Sequence, residues 1–447
     1  MKIIIFIAFR NLLQARRRTM LLTLALSIVT MLLVILLSLS QGLTETMIRN
    51  ATALSSGHIN IGGFVKAKSS DAYPLVTNVP KLRQIVRDHV PDLDYVIDRI
   101  RGWGKVVSEQ GAIQVGLQGI DFNQETRFIN TIQLAEEREY KTNGQAKVLG
   151  DFNKLKQNGF ALCFAAQAKR LQIGVGDSVT ITIEAQGGRV NATQVTIAAV
   201  AKDLGFSSNW NFFLSKATLY DLYDVDENNS GAVMIYIKDI SKAREVMAYL
   251  REILIKDGYG LMDYNPKPFF MKFDLVKAED WVGEKLDLTL WEDEIAFLKW
   301  VLTAFDSISL FLVTILTIII CIGIINTMWI SVRERTNEIG TIRAIGMSRG
   351  RVMLLFLFEA LILGFFATTL GSLIGLGIAM GVDAASIKVP SDAVKALIMN
   401  DTFHLSVQLR HVIAAIVTFT IITFLVSLWP AARAARMEPV KAIQHVG

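Results

Sequence analysis

Only two cysteines, Cys163 and Cys321, occur in 447 residues, and Cys321 lies inside a long apolar run. A disulfide framework is thereby excluded, so any large domain here folds on its own hydrophobic core. Cys163, within the apolar run Phe160 to Ala166, reads as a buried small hydrophobe. Proline is scarce as well, with none between Val282 and Pro390, which leaves a long stretch free to be helical. The five histidines, His58, His404, His411 and His445 among them, show no His-x-x-x-His spacing, and no Cys-x-x-Cys occurs. A metal site is therefore not expected. No Gly-x-x-x-x-Gly-Lys-Ser/Thr loop is present, and Gly346 to Gly350 lacks the lysine and the preceding strand, so it reads as a turn. Gly-x-Ser-x-Gly is missing too. The chain is expected not to be an enzyme and to carry no cofactor, and the energy for any work it does comes from a partner.

Charge is absent where the chain is most apolar. More than half of the residues, 52%, are hydrophobic, and the mean hydropathy of +0.39 exceeds what a soluble globule needs. Thr19 to Leu39 and Ile308 to Ile330 carry no charge, the second within a segment that starts near Val301 and includes Asp306. Val352 to Met380 carries only Glu359, and Val412 to Pro430 is the fourth and shortest run. Each is long enough to cross a hydrocarbon core roughly 30 Å thick at about 1.5 Å per helical residue.

Acid is scarce in three of the segments that flank these runs. Residues 1–18 hold five basic residues and no acid, residues 331–351 hold five arginines against Glu334 and Glu338, and the tail from 431 is also net basic. The remainder of a chain whose net charge is only +5 must therefore be net acidic. Lys/Arg asymmetry then places these three segments and both termini in the cytoplasm, as parts of a multi-pass membrane protein. The pI near 9.0 reflects inside loops, with no nucleic-acid partner implied. A cleaved signal peptide ending near Ser38-Leu39-Ser40 is the competing reading of the N-terminus, but the first run is longer than a signal core and the later spans need it to balance the topology.

The expected fold class is a membrane protein of four transmembrane α-helices, with a large α+β extracytoplasmic domain inserted between helices 1 and 2. The segments are 1–18, an interfacial helix or else the start of one long first helix; 19–41, the first span; 42–300, the outer domain ending in a stalk helix; 301–330, the second span; 331–351, a cytoplasmic loop; 352–381, the third span; 382–410, a short outer loop; 411–430, the fourth span; and 431–447, the tail. In the outer domain Ile113, Val115 and Leu117, and Val179, Ile181 and Ile183, alternate with polar or small residues, as half-buried strands do, and Gly231 to Ile237 reads as another strand. Pro80 to Val90, Ala165 to Leu171 and Ser241 to Ile255 read as helices, the last with Ser241 as N-cap and Gly258 past its end. Leu288 to Trp300 is expected either to begin the second span as a helix outside the membrane or to form a short surface helix with a break near Thr303 or Ala304.

Glu359 is the one carboxylate deep within a span. Pairing with an arginine such as Arg351 or Arg335, or snorkelling, stands against a proton or substrate role. Gly371 and Gly375, and Gly377 and Gly381, place small residues where a second helix can approach, within one chain or between two copies.

The run from Arg333 to Met347, Arg-Glu-Arg-Thr-Asn-Glu-Ile-Gly-Thr-Ile-Arg-Ala-Ile-Gly-Met, followed by Glu359 and Gly364, resembles the signature of FtsX/MacB-type (type VII) ABC transporter permeases. The ending Pro430-Ala431-Ala432-Arg433 through Glu438-Pro439-Val440-Lys441-Ala442-Ile443 is similar to that family's tail, with Ile443 for the usual leucine and Thr341 where an aliphatic residue is more typical. Ala8 to Leu13, Gly57 to Ile61, Arg99 to Gly104 and Val175-Gly176-Asp177 also resemble it. The resemblance implies a permease subunit that pairs with a second copy or paralogue and with a cytoplasmic ABC ATPase dimer, which would bind the ATP and Mg. Arg335, Glu338, Ile339, Gly340, Arg343, Gly346 and Met347 would form the ATPase-coupling loop. Work would be done by mechanotransmission, with nothing passing through the bilayer centre. Among family members the lipoprotein-releasing LolC/LolE subunits look nearest, which implies the inner membrane, with membrane lipids, a lipoprotein substrate and a periplasmic carrier or adaptor as further partners. MacB-like export of peptides, drugs or other amphiphiles, and FtsX-like signalling to a cell-wall hydrolase, are the alternatives.

Overall fold

The computed structural model describes residues 2–68, 72–185 and 188–438. Along the chain run α1 (Lys2–Gln14), α2 (Arg16–Ser55), β1 (Ile59–Lys66), α3 (Val79–His89), β2 (Leu93–Val107), β3 (Ala112–Ile120), α4 (Thr126–Thr131), α5 (Glu137–Tyr140), β4 (Phe160–Phe164), α6 (Ala165–Leu171), β5 (Ser178–Glu184), β6 (Val190–Ala201), α7 (Gly205–Ser208), β7 (Asn211–Ser215), α8 (Lys216–Tyr223), β8 (Ala232–Ile237), α9 (Ala243–Lys256), α10 (Phe273–Ala278), β9 (Gly283–Leu290), α11 (Trp291–Glu294), α12 (Ala296–Glu334), α13 (Thr336–Ala344), α14 (Arg349–Ala384), α15 (Asp392–Ile398) and α16 (Leu409–Ala435). They divide into a helical unit, Met1–Glu45 with Leu302–Lys388 and Thr402–Gly447, and an α+β unit, Thr46–Val301 with Val389–Asp401.

In the helical unit, α2, α12, α14 and α16 are each long and apolar enough to cross a membrane. The first helix is separate: the chain breaks at Ala15, so α1 and α2 are two elements. At 40 and 39 residues, α2 and α12 are about 60 Å long, twice the thickness of a bilayer core. Helix α12 begins at Ala296, after a one-turn helix and a break at Ile295, and it runs unbroken through Thr303 and Ala304. On α12, Ile308, Phe311, Ile315, Ile318 and Ile322 stay exposed at the three-and-four spacing of one face, as a surface turned to lipid requires. The fourth helix continues past Pro430 to Ala435. Proline costs one backbone hydrogen bond there and the helix carries on, an interruption that packed membrane helices tolerate.

The α+β unit is built around one long strand. Residues Leu93 to Arg99 of β2 pair antiparallel with β8, and its second half pairs with β3 and β5. On one side the order β2-β8-β1-β9, all antiparallel, with α3 and α9 packed against it, is a split βαβ plan. Its core includes Ile59, Ile61, Leu82, Val86, Val233, Ile235, Leu250 and Leu288. On the other side β2-β3-β7-β4-β6-β5 closes back on β2, leaving that half of the sheet without free edges. Its interior holds Val106, Val115, Leu117, Ile181, Ile197, Phe212 and Cys163. Burial raises the Cys163 thiol to about 12, so it stays protonated and packs as a hydrophobe. The alternating residues of β3 and β5 point inward and outward by turns. Where Ser241 is expected to cap a helix, Asp239 does so instead: its carboxylate accepts from the Ser241 N–H and opens a 3-10 turn, Ile240–Lys242, ahead of α9. Asp reaches a free N–H two residues on as readily as Ser does, and Asp239 sits two residues before Ser241. The segment Val389–Asp401 joins this unit, with Asn50 Nδ2 donating to the Met399 carbonyl at 2.6 Å and Lys202 paired to Asp401 at 3.0 Å.

A helix end leaves carbonyls unpaired, and the last turn of α2 is buried. Tyr236 Oη donates to the Thr52 carbonyl at 3.1 Å, while the fully buried Arg99 donates to Ala53 and Leu54 at 2.8 and 2.9 Å. The other edge of Arg99 grips both oxygens of Glu125, at 2.6 and 2.5 Å. Arg99→Met strands that carboxylate and two carbonyls, so the α+β unit is expected to lose about 3–5 kcal/mol. Arg189→Met, at a pair whose side chains are 65% and 70% exposed, is expected to cost under about 1 kcal/mol. Denaturant unfolding of the full chain, followed by tryptophan emission, compares the two.

Candidate functional site: the α12–α14 loop and its buried carboxylate

The turn between α12 and α13 is one residue long. Thr336 closes α12 by donating its hydroxyl to the Val332 and Arg333 carbonyls at 3.1 and 2.9 Å, and Arg335 is left at the corner. From there its guanidinium turns toward α14. Nη1 donates to Glu359 Oε1 at 2.8 Å, Nε to Glu338 Oε2 at 2.8 Å, and the group lies 5.8 Å from the Phe356 ring centre. Burial works against the Arg335 charge, but Glu359 and Glu338 together hold its proton more tightly than usual. Glu359, only 4% exposed, also accepts from Asn11 Nδ2 of α1 at 2.7 Å on the same oxygen. Arg351 is exposed on α14, eight residues before Glu359 and so about 12 Å away along the helix, beyond pairing distance.

Helix α13 lies with Ile339 and Gly340 buried and Asn337, Glu338 and Thr341 outward. Arg343 is turned in: its Nη1 donates to the carbonyls of Met437 and, at 3.3 Å, Ala435, closing the end of α16. Gly346 has φ +109 with open space around it, so the backbone conformation and not crowding calls for glycine. Met347 then folds back against the membrane core, leaving Ile345, 83% exposed, at the tip. The outward surface of the loop therefore comprises Asn337, Glu338, Thr341, Ala344 and Ile345, and Arg343 serves the inside. Pro439 to Ile443 lie outside the described residues.

Of the six glycines of α14, Gly371 and Gly375 form one pair and Gly377 and Gly381 another. A Cβ on Gly371 would sit 2.3 Å from the Ser27 carbonyl oxygen, and one on Gly375 would sit 2.9 Å from that of Met31. These two bring α14 against α2 within the chain, where Ser27 Oγ also donates to the Ala367 carbonyl at 2.8 Å. Gly377 and Gly381 face open space. Asn11, Ser27 and Ile345 are the contributors that sequence reasoning did not single out. Asn11 follows Ile4 and Ala8 at helical spacing, which is a usable signal for an inward polar group. No cluster of His, Cys, Asp and Glu among the described residues could hold a metal ion.

Against known proteins, the model of the MacB-like periplasmic core domain matches residues 19–253, and that of the FtsX-like permease C-terminal domain matches residues 310–439. The chain belongs to the FtsX/MacB family of ABC transporter permeases. The macrolide export ATP-binding/permease protein MacB of Psychrobacter cryohalolentis is 34% identical over 124 residues, covering 28% of this chain and 17% of that protein. MacB of Neisseria gonorrhoeae is 27% identical over 217 residues, covering 48% and 28%. The chain thus matches well under a third of the length of either relative. Among solved structures, the extracellular domain of the noncanonical ABC-type transporter YknZ from Gram-positive bacteria is 11% identical, with a TM-score of 0.29, covering 44% of this chain and 94% of that one. The periplasmic region of MacB from Actinobacillus actinomycetemcomitans is likewise 11% identical, at 0.28, covering 45% and 86%. At these scores the assignment rests on the sequence families.

The glycine pairs make a direct contrast. Gly371→Ala forces α2 and α14 apart and is expected to cost about 1–3 kcal/mol, whereas Gly377→Ala and Gly381→Ala are expected to be neutral or slightly stabilising. Thermal melting of the three variants in one detergent measures it.

Proposed function

We propose that this chain is the membrane subunit of an ATP-driven transporter that works by mechanotransmission, with ATP and Mg bound by a separate cytoplasmic ATPase dimer. The observation that carries the reading is the α13 loop. It presents a small polar and apolar tip, Glu338, Thr341 and Ile345, on a base pinned by Arg335 to Glu359 and by Arg343 to the end of α16. A docking helix needs such a base, because a displacement delivered to a loose loop is absorbed there. The long helices α2 and α12 would carry movement out of the bilayer, since each continues well beyond the length of an apolar core. Glu359 then holds its helix rather than moving protons. In this reading the loop and both termini face the cytoplasm of the inner membrane, in keeping with the basic charge of residues 1–18 and 331–351. A second permease copy or paralogue completes the membrane part, and the exposed Gly377 and Gly381 are available to it.

For the cargo, release of lipoproteins to a periplasmic carrier is one reading. Export of another amphiphile is the second, favoured by the match to macrolide exporters.

Purification of the tagged full chain in mild detergent is expected to bring an ATP-hydrolysing subunit with it, and Ile345→Asp combined with Glu338→Arg is expected to reduce that recovery at least about tenfold. Normal ATPase recovery with the double variant removes α13 as the docking element. No ATPase with the unaltered chain, in a preparation that retains its fold, removes the transporter reading.

A further inference from the structure

Helix α1 has no role in the reading above, yet it touches the same carboxylate. Its Ala8 is fully buried and its Asn11 reaches Glu359, while Ile3, Phe6, Phe9 and Leu13 are exposed, from 44% to 74%. Arg10, Arg16 and Arg17 are exposed around the break at Ala15, and no acid occurs before Glu45 to neutralise them. The uncharged part of α2 starts at Thr19, so these arginines sit at the level where the apolar run begins. An element with large apolar side chains beside an uncompensated basic cluster, at the edge of a membrane span, matches the chemistry of a lipid surface, with acyl chains below and phosphates above. A nucleic acid or an acidic protein would satisfy the arginines and leave the apolar side chains in water.

We infer that the α1–α2 joint is a binding site for anionic phospholipid headgroups, and that its occupancy is read at the α13 loop through Asn11, Glu359 and Arg335. The chain of contacts is continuous. Asn11 and Arg335 share Glu359 Oε1, and the other side of Arg335 holds Glu338 on the outward surface of α13. A headgroup drawing Arg10, Arg16 and Arg17 together fixes the end of α1. A fixed Asn11 keeps Glu359 in place, and Glu359 keeps Arg335 at its corner. The phosphodiester is the recognised group, common to phosphatidylglycerol and cardiolipin. The docking role of α13 is the reading proposed above, whereas the lipid response stands without any ATPase.

Two measurements on the full chain alone test it. In native mass spectrometry, phosphatidylglycerol is expected to be retained over phosphatidylcholine with a preference on the order of a hundredfold, since each surface arginine contributes about fivefold. The triple change Arg10→Gln, Arg16→Gln and Arg17→Gln is expected to abolish the preference. Equal retention of the two lipids, or a preference that survives the triple change, overturns the site. For the second half, a spin label is placed at Ile345→Cys with Cys163 and Cys321 replaced by alanine, in phosphatidylcholine vesicles with and without phosphatidylglycerol. The label is expected to become less mobile when the anionic lipid is present. Asn11→Leu, which leaves the Arg335–Glu359 pair intact, is expected to remove that response while lipid retention persists. A label indifferent to the lipid, or a response that persists in Asn11→Leu, overturns the coupling.

Discussion

The helical unit depends on one buried carboxylate held by donors from two other elements. A buried Glu is costly unless a cation and further hydrogen bonds compensate it, and at Glu359 both donors converge on one oxygen. The cation comes from the loop, the amide from the N-terminal helix and the acceptor from the third span, so three elements distant in sequence are fixed by one group. Apolar packing cannot do this by itself, because helices in lipid have no hydrophobic reason to choose one neighbour over another. The close approach of α2 and α14 at Gly371 and Gly375, and of α14 and α16 at Gly364 against Thr423, supplies shape. The ion pair supplies position.

The α+β unit solves an analogous problem with the same chemistry. A single strand, β2, belongs to two cores, and at the point where it passes from one to the other Arg99 turns inward to the end of α2. Four hydrogen bonds to two carbonyls and one carboxylate make a charged side chain tolerable at zero exposure. Both sites use an arginine, fully buried at Arg99 and half-buried at Arg335, to fix the end of a long helix.

Much of this was legible in the residues, for physical reasons. Uncharged runs longer than twenty residues have few stable places other than a membrane, and strict alternation around Val115 and Ile181 has few other than a half-buried strand. The signature in the loop and the tail pointed to the family whose models the chain matches. The partner of Glu359 was narrowed to the nearby arginines, but the choice of Arg335 comes from the one-residue corner after α12, which sequence periodicity does not show. Closure of β2 with both β3 and β5 depends on pairings across long sequence separations, including the parallel β3–β7 and β4–β6 pairs, and no local pattern encodes them. Arg343, which the resemblance placed in the coupling loop, also holds the carbonyls of Ala435 and Met437, a contact across about ninety residues of chain that no local pattern shows. Ile345 was not singled out in the sequence, and its exposure goes with the turn at Gly346.

The central claim is that Arg335 and Glu359 act as one buried unit. A double-mutant cycle on the full chain, with Arg335→Met, Glu359→Met and both together, tests it through unfolding free energies in a single detergent. Each single change leaves its partner charge stranded and should be strongly destabilising, whereas the double change should be no worse than either, giving a coupling of about 3 kcal/mol or more. Single effects that simply add would contradict the account, because the two side chains would then be near each other without depending on each other.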